Sequence, residues 1–114
     1  MSRSVREYFQ HILDETAYLR QSSHDLEKAT FLQDETLKRA YVRSIEVIGE
    51  AIKQIPDSLR QKYPATEWRA IAGMRDRLIR EYFGVDYEIV WDVITNKIPT
   101  LDSQIQQIIA QEYP

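Results

Sequence analysis

The stretch LKRAYVRSIEVIGEAIKQIP, Leu37–Pro56, has the side-chain pattern of a helix that is buried along one face. Its apolar side chains recur every three or four residues, the spacing of one helical face: Leu37, Tyr41, Ile45, Ile48 and Ile52. From Phe31 onwards there is no proline before Pro56. Because proline is the strongest breaker of a helix interior, we predict one long helix over Phe31–Ile55.

The flanking sequence shows the same spacing and predicts an all-α fold. Residues that can cap or open helices stand before the later elements: Asp57, Thr66, Asp86 and Pro99. Besides a short turn after Asp57, the expected helices cover Ser4–Gln21, Glu67–Phe83, Tyr87–Thr95 and Thr100–Glu112. No alternating strand pattern or internal repeat competes with this interpretation. We therefore predict an all-α bundle of four to five helices with short loops.

Length, charge and composition limit the possible functions. With 114 residues, one domain over residues 1–114 is expected. The net charge of −3 argues against gripping nucleic acid through overall basicity, so a nucleic-acid role needs a local basic site. The absence of cysteine excludes disulfides, thiolate catalysis and cysteine-bound metals. No apolar run approaches a membrane span and no signal core is visible, so we expect a cytoplasmic protein without a membrane partner.

A cluster of charges occupies the predicted helix between Met74 and Tyr82, with three arginines, two acids and a tyrosine in nine residues. At about 100° per residue, less than half of the helical circumference carries four of these side chains: Arg75, Asp76, Arg80 and Tyr82. Spacing alone favours a solvated face with an Asp76–Arg80 ion pair and a packed Tyr82. The interleaved apolar residues, however, indicate that something covers this face.

The segment GMRDRLIREYFGVDYEIVW, Gly73–Trp91, resembles the signature of the HepT-like toxins. These are small HEPN-domain ribonucleases paired with minimal nucleotidyltransferase (MNT) antitoxins. Their motif reads arginine, a polar residue, three further residues, histidine, any residue and tyrosine. Two upstream segments also resemble the family, VRSIEVIGEAIKQIP at Val42–Pro56 and YPATEWRAIAGMRDRLI at Tyr63–Ile79. The resemblance covers nearly the whole chain, so an unrelated helical adaptor would require an accidental match.

The resemblance implies a HEPN-type helical bundle and metal-independent RNA cleavage, without a cofactor, at a site between two protomers. Arg75 matches the motif arginine, whose planar fork of donors suits a phosphate clamp. Asp76 matches the polar position and is expected to orient that arginine or its counterpart across the dimer. Tyr82 matches the tyrosine that receives AMP units from the partner enzyme. The implied partners are a second copy of the chain, a cognate MNT-type nucleotidyltransferase antitoxin and an RNA substrate, with tRNA and mRNA both open.

Arg80 departs from the motif, because the family has its catalytic histidine at this position. Guanidinium stays protonated far above neutral pH, so it cannot take up and return a proton near neutral pH as imidazole does. The chain is therefore expected to cleave RNA weakly or not at all. A natural loss and an introduced substitution both remain open explanations. The alternative function is a non-catalytic HEPN partner that binds or regulates the nucleotidyltransferase.

Other candidate residues carry weaker signals. The two histidines, His11 and His24, belong to the first helix and the turn after it, and either is a distant candidate to replace the missing base. Glu46 and Glu50 form an acidic pair one helical turn apart, which we interpret as surface or as contacts to the arginines. We expect Trp68 and Trp91 to be core or interface anchors rather than base-stacking platforms.

Overall fold

The computed structural model describes residues 4–80 and 84–114, and of Ile79 and Arg80 only the backbone. The helices are α1 Val5–Ser23, α2 Lys28–Gln33, α3 Glu35–Lys53, α4 Asp57–Lys62, α5 Trp68–Ala72, α6 Met74–Leu78, α7 Tyr87–Asp92 and α8 Ile98–Glu112, with a π-helical segment at Val93–Lys97. Two short strands, β1 Ile79–Arg80 and β2 Gly84–Val85, form an antiparallel pair. The predicted all-α class is confirmed. Within these ranges, no helix is long and apolar enough to cross a membrane.

The core lies where α1 packs against both α3 and α8. The predicted apolar face of α3 is confirmed, since Tyr41, Ile45, Ile48 and Ile52 are fully buried, while Leu37 is half-buried at the start of the helix. Opposite this face lie fully buried side chains of α1 and α8: Phe9, Ile12, Leu19, Ile98 and Ile105.

The two tryptophans anchor the packing, as the sequence suggests. Trp68 is buried, and its indole N–H donates to the carbonyl oxygen of Tyr63 over 3.0 Å. Trp91 is half-buried and its ring centroid lies 5.3 Å from that of Phe31. Both contacts lie within the protein, so neither ring is presented as a flat platform to a nucleotide base.

The predicted single helix over Phe31–Ile55 is wrong, because it is divided at Asp34. Asp34 has an extended backbone, and its Oδ1 accepts a hydrogen bond from the backbone N–H of Leu37 over 3.0 Å. Aspartate at this place satisfies a donor that the first turn of α3 leaves unpaired. The helix cap at Asp34 thus divides the chain into two helices, although the apolar spacing continues from α2 into α3.

The predicted helix over Glu67–Phe83 is also wrong. It is interrupted at Gly73, which ends α5, and α6 finishes at Leu78. The chain then turns into β1, where Arg80 pairs with Gly84 and Ile79 with Val85. Gly84 has φ of +73°, a left-handed conformation that glycine adopts at little cost. Helical spacing therefore does not relate Ile79 and Arg80 to Arg75.

The predicted helices Tyr87–Thr95 and Thr100–Glu112 form one continuous helical run with α7, the π-helical segment and α8. Pro99 lacks the N–H that an α-helix would donate to the preceding turn. The π-helical segment, with its wider i→i+5 bonding, directly precedes the turn that contains this proline. Pro99 thus lies in the first turn of α8 as predicted, but no loop separates α8 from the helical segment before it.

The predicted caps have mixed outcomes. Asp86 caps α7 as expected, since its Oδ1 accepts from the N–H groups of Glu88 and Ile89 over 3.1 and 3.3 Å. Asp57 instead occupies the first turn of α4 and pairs with Arg60, with Pro56 at the cap. Thr66 is buried and makes no side-chain cap for α5.

A buried polar network ties α1 to α8. Asp102 is 2% exposed. Its carboxylate accepts hydrogen bonds from the Thr16 hydroxyl over 2.8 Å, from Arg20 over 3.1 Å and from the Gln106 amide. Three donors thus compensate for removing this carboxylate from water.

Candidate active site

Arg75 projects from α6 into solvent. The neighbouring side chains Met74 and Leu78 are buried in the core and hold the single turn of α6 against the protein. This leaves the intervening residues Arg75–Arg77 on the outside. More than half of the Arg75 side chain, 54%, is exposed. An exposed guanidinium on a core-anchored turn is suited to contact a phosphate group from outside.

Glu46 on α3 lies against Arg75. Its Oε2 atom is 3.6 Å from Arg75 Nε and 4.0 Å from Arg43 Nη1, so one carboxylate oxygen contacts two guanidinium groups. The Glu46 side chain is 29% exposed, less than either arginine. We call these three residues, Arg43, Glu46 and Arg75, the arginine cluster. Two cations and one anion give it a net positive charge within an acidic chain.

The position of Glu46 follows from the packing of α3. Its neighbours Ile45 and Ile48 point into the core, which turns Glu46 toward the edge of the buried face. One turn along, Gly49 lies so close to the α5 backbone that an added Cβ would be 3.4 Å from the Ala72 carbonyl oxygen. This close approach of α3 and α5 brings the following turn, with Arg75, to Glu46.

Asp76 and Arg77 are exposed beside Arg75. The backbone N–H of Asp76 donates to the Gly73 carbonyl over 3.1 Å, which starts the turn of α6. Within the described ranges, no ion pair joins Asp76 to Arg75, and the carboxylate that contacts Arg75 is that of Glu46. Within one protomer, the described carboxylate that reaches Arg75 thus comes from another helix.

The second half of the motif is described only in part. Arg80 contributes its backbone to β1, opposite Gly84. The backbone N–H of Asp86 donates to the Leu78 carbonyl over 2.8 Å, which holds the return of the chain beside the end of α6. α6 ends at Leu78, so Asp76 and Arg80 do not belong to one helix. The i, i+4 spacing of a helix, on which their predicted ion pair was based, therefore does not apply to them. Tyr82 lies outside the described residues.

The two histidines differ in their relation to the arginine cluster. His11 lines a groove of about 410 Å³ between α1 and α3, and Arg43 and Glu50 line the same groove. His24 is exposed near the end of α1, with its Nε2 3.8 Å from Asp25 Oδ1. His11 is therefore the histidine that shares a surface with the cluster.

Sequence reasoning missed Arg43 as a site residue and named Glu46 only as a possible arginine contact. The i, i+3 spacing of the two residues was a local signal for their pairing. The contact to Arg75 depends on the packing of α3 against α6 and has no local signal. No group of three or more histidine or acidic side chains able to hold a metal ion occurs in residues 4–78 and 84–114.

Comparisons with known proteins place the chain in a family. The family model described as "Ribonuclease HepT-like" matches residues 12–108. A protein of Caldanaerobacter subterraneus named a "Putative RNase" is 44% identical over 110 residues, covering 96% of this chain and 98% of the relative. A "Probable ribonuclease HepT" of Thermococcus cleftensis is 33% identical over 108 residues, covering 95% of this chain and 98% of the relative. No solved structure matches the chain. The chain belongs to the HepT-like ribonuclease family.

Proposed function

We propose that the chain, acting over residues 1–114 as one HEPN-type domain, is the toxin subunit of a toxin–antitoxin pair. In this proposal it is a homodimeric, metal-independent RNA endonuclease whose cytoplasmic partner is an MNT-type nucleotidyltransferase. The observation that carries the proposal is the exposed Arg75 guanidinium, presented by a core-anchored turn in a chain of the HepT-like ribonuclease family. The names of the relatives support ribonuclease activity.

The proposed reaction uses the 2′-hydroxyl of RNA as the nucleophile. A base removes its proton, the 2′-oxygen bonds to phosphorus, and the bond from phosphorus to the 5′-oxygen breaks. An acid then protonates the leaving 5′-oxygen, which gives a 2′,3′-cyclic phosphate and a 5′-hydroxyl. Arg75 holds the phosphate and stabilises the charge that it gains. Asp76 serves as polar support at the interface of two protomers, where it is free to orient the partner's arginine.

Position 80 limits this reaction in the present chain. The motif histidine would transfer the proton, and Arg80 cannot because its guanidinium stays protonated. We therefore expect RNA binding through Arg75 with weak or absent cleavage. The proposed control of an active form is AMPylation of Tyr82, which adds negatively charged phosphate and a bulky base to the motif and blocks access of RNA.

The alternative function is a non-catalytic HEPN partner that binds or regulates the nucleotidyltransferase. Arg80 is the residue that favours it, since the position of the catalytic histidine carries a group without base activity. The two functions differ in the Arg80→His variant. If the chain is a toxin, Arg80→His should restore RNA cleavage. If it is a regulatory protein, Arg80→His should still bind the nucleotidyltransferase but cleave no RNA.

The test compares this chain with Arg80→His and with the double variant Arg80→His, Arg75→Ala. Each protein is incubated with a fluorescently end-labelled RNA in the presence of EDTA, and growth arrest is scored on expression. Restored general acid–base catalysis should raise the cleavage rate of Arg80→His by at least about a hundredfold, and loss of Arg75 should remove that gain. Equal rates for the parent chain and Arg80→His would contradict the catalytic proposal and favour the regulatory one.

A further inference from the structure

We propose that Glu46 is a positioning residue for Arg75 and that it recruits Arg43 as a second phosphate-binding cation. The inference rests on the proposed function, in which Arg75 binds an RNA phosphate. Its physical basis is the arginine cluster, where Glu46 Oε2 lies 3.6 Å from Arg75 Nε and 4.0 Å from Arg43 Nη1. The sequence motif contains neither Arg43 nor Glu46.

The point of contact on Arg75 supports a positioning role. Glu46 Oε2 contacts Arg75 at Nε, the nitrogen at the base of the guanidinium, over 3.6 Å. The terminal nitrogens form the fork that binds a phosphate in bidentate fashion. We infer that a carboxylate at Nε restricts the rotation of the side chain while the terminal nitrogens remain available to a phosphate, since 54% of the side chain is exposed.

The charge balance supports the recruitment of Arg43. One carboxylate between two guanidiniums compensates only one positive charge, so the arginine cluster keeps an excess cation. The Arg43 side chain is 75% exposed and shares the Glu46 oxygen with Arg75. Both cations thus face the same surface. An RNA strand that reaches Arg75 meets Arg43 beside it, and the strand carries a negative charge on every phosphate.

Glu50 provides a matched control on the same helix. It lies one turn after Glu46, is exposed, and its Oε1 is 3.3 Å from Lys53 Nζ of its own helix. Glu46→Gln and Glu50→Gln remove the same charge from the same helix, and only the first removes a carboxylate from Arg75. Arg39, exposed and one turn before Arg43, is the corresponding control for Arg43→Gln.

The experiment measures binding of a single-stranded RNA with 2′-O-methyl groups, which cannot be cleaved, by fluorescence anisotropy at fixed salt. Glu46→Gln and Glu50→Gln are each made in the full chain and in an Arg75→Ala background, and thermal unfolding checks that each variant is folded. With Arg75 present, Glu46→Gln should weaken binding about three- to tenfold, because an unrestrained arginine loses more freedom on binding. In Arg75→Ala it should have no effect beyond that of Glu50→Gln. Arg43→Gln should weaken binding more than Arg39→Gln.

Two results would overturn the inference while leaving the proposed function intact. Glu46→Gln could strengthen binding more than Glu50→Gln does, which would make Glu46 a competitor of the phosphate. It could also have the same effect with and without Arg75, which would make its action independent of that arginine. If Arg75→Ala itself leaves RNA binding unchanged, the proposed RNA site fails together with the inference.

Discussion

Gly49 on α3 and Ala72 on α5 approach so closely that a Cβ on Gly49 would lie 3.4 Å from the Ala72 carbonyl oxygen. This contact sets the distance between α3, which carries Glu46, and the chain that leads into α6 and Arg75. A methyl group can be accommodated at 3.4 Å, whereas a longer side chain must push the two backbones apart. The site therefore depends on the absence of a large side chain at position 49.

We predict that Gly49→Leu lowers the free energy of unfolding by about 1–3 kcal/mol, the usual effect of overpacking a close contact. It should also weaken RNA binding, because α5 and α6 move away from Glu46. Gly49→Ala is the matched control: its methyl group fits at 3.4 Å, so RNA binding should stay unchanged, and the free energy of unfolding should stay the same or rise by up to about 1 kcal/mol because alanine favours the helix. Chemical denaturation and RNA anisotropy provide the two measurements. If Gly49→Leu is destabilised but binds RNA as well as the parent chain, RNA binding does not depend on the contact between Gly49 and Ala72.

Asp102 is predicted to contribute strongly to stability through its three hydrogen-bond donors. Asp102→Ala removes the acceptor shared by Thr16, Arg20 and Gln106, and should lower the free energy of unfolding by about 2–3 kcal/mol. Asp25, whose side chain is 94% exposed, provides the control, and Asp25→Ala should change stability little. Urea unfolding of the two variants measures the difference. Similar midpoints for both would show that the buried network adds nothing.

The end of α8 is predicted to give a pH-dependent contribution to stability. The hydrogen bond from Lys62, and then that from Tyr63, hold the pKa of the Glu112 carboxyl below its ordinary value. A carboxyl with a lowered folded-state pKa stabilises the protein fully above its unfolded pKa of about 4.3, and this contribution disappears as the pH falls through the lower folded value.

The measurement is thermal unfolding of the parent chain and Glu112→Gln at pH 7, 5 and 3. The parent should be the more stable at pH 7 and 5, and the difference should shrink at pH 3. Glu27→Gln removes an exposed carboxylate from the start of α2 and serves as the control for general charge effects. A difference that stays constant down to pH 3 would rule out the carboxylate as its source.

Gly84 is predicted to resist substitution because of its backbone rather than its surroundings. Among the residues that the structure describes, no atom lies within 4 Å of a Cβ added to Gly84, but its φ is +73°. A side chain in this left-handed conformation costs about 1–2 kcal/mol. Gly84→Ala should therefore destabilise the β1–β2 pairing, whereas Gly73→Ala, at φ of −90°, should not. Hydrogen exchange at the Asp86 amide, which donates to Leu78, reports the pairing, and equal protection in both variants would contradict this prediction.

Tyr82 is predicted to accept AMP in the presence of ATP and the cognate nucleotidyltransferase. Mass spectrometry of the intact chain should show added AMP, and peptide mapping should place it on Tyr82. Tyr82→Phe should remove the adduct, while Tyr18→Phe, which changes an exposed tyrosine on α1, should leave it in place. An adduct that persists in Tyr82→Phe would exclude the proposed acceptor.

The sequence predicts the local features of this fold and misses those that depend on packing. Asp86 caps α7 as expected because a cap needs only the next few residues. The end of α6 at Leu78 was invisible, since the apolar spacing continues through residues that form β1. Arg75 was named from its motif, but its contact with Glu46 joins residues on separate helices. Neither the apolar periodicity nor a short sequence motif can predict that these two side chains are close in space.

Arg80 pairs with Gly84 through its backbone, which bears on whether its side chain can be replaced. Main-chain hydrogen bonds of a strand pair do not depend on which side chain the residue carries. If the proposed function is right, one replacement at position 80 can therefore remove or restore RNA cleavage without disturbing the β1–β2 pair. On that proposal the chain is a dormant form, able to accumulate in a cell without harm and a single replacement away from an active one.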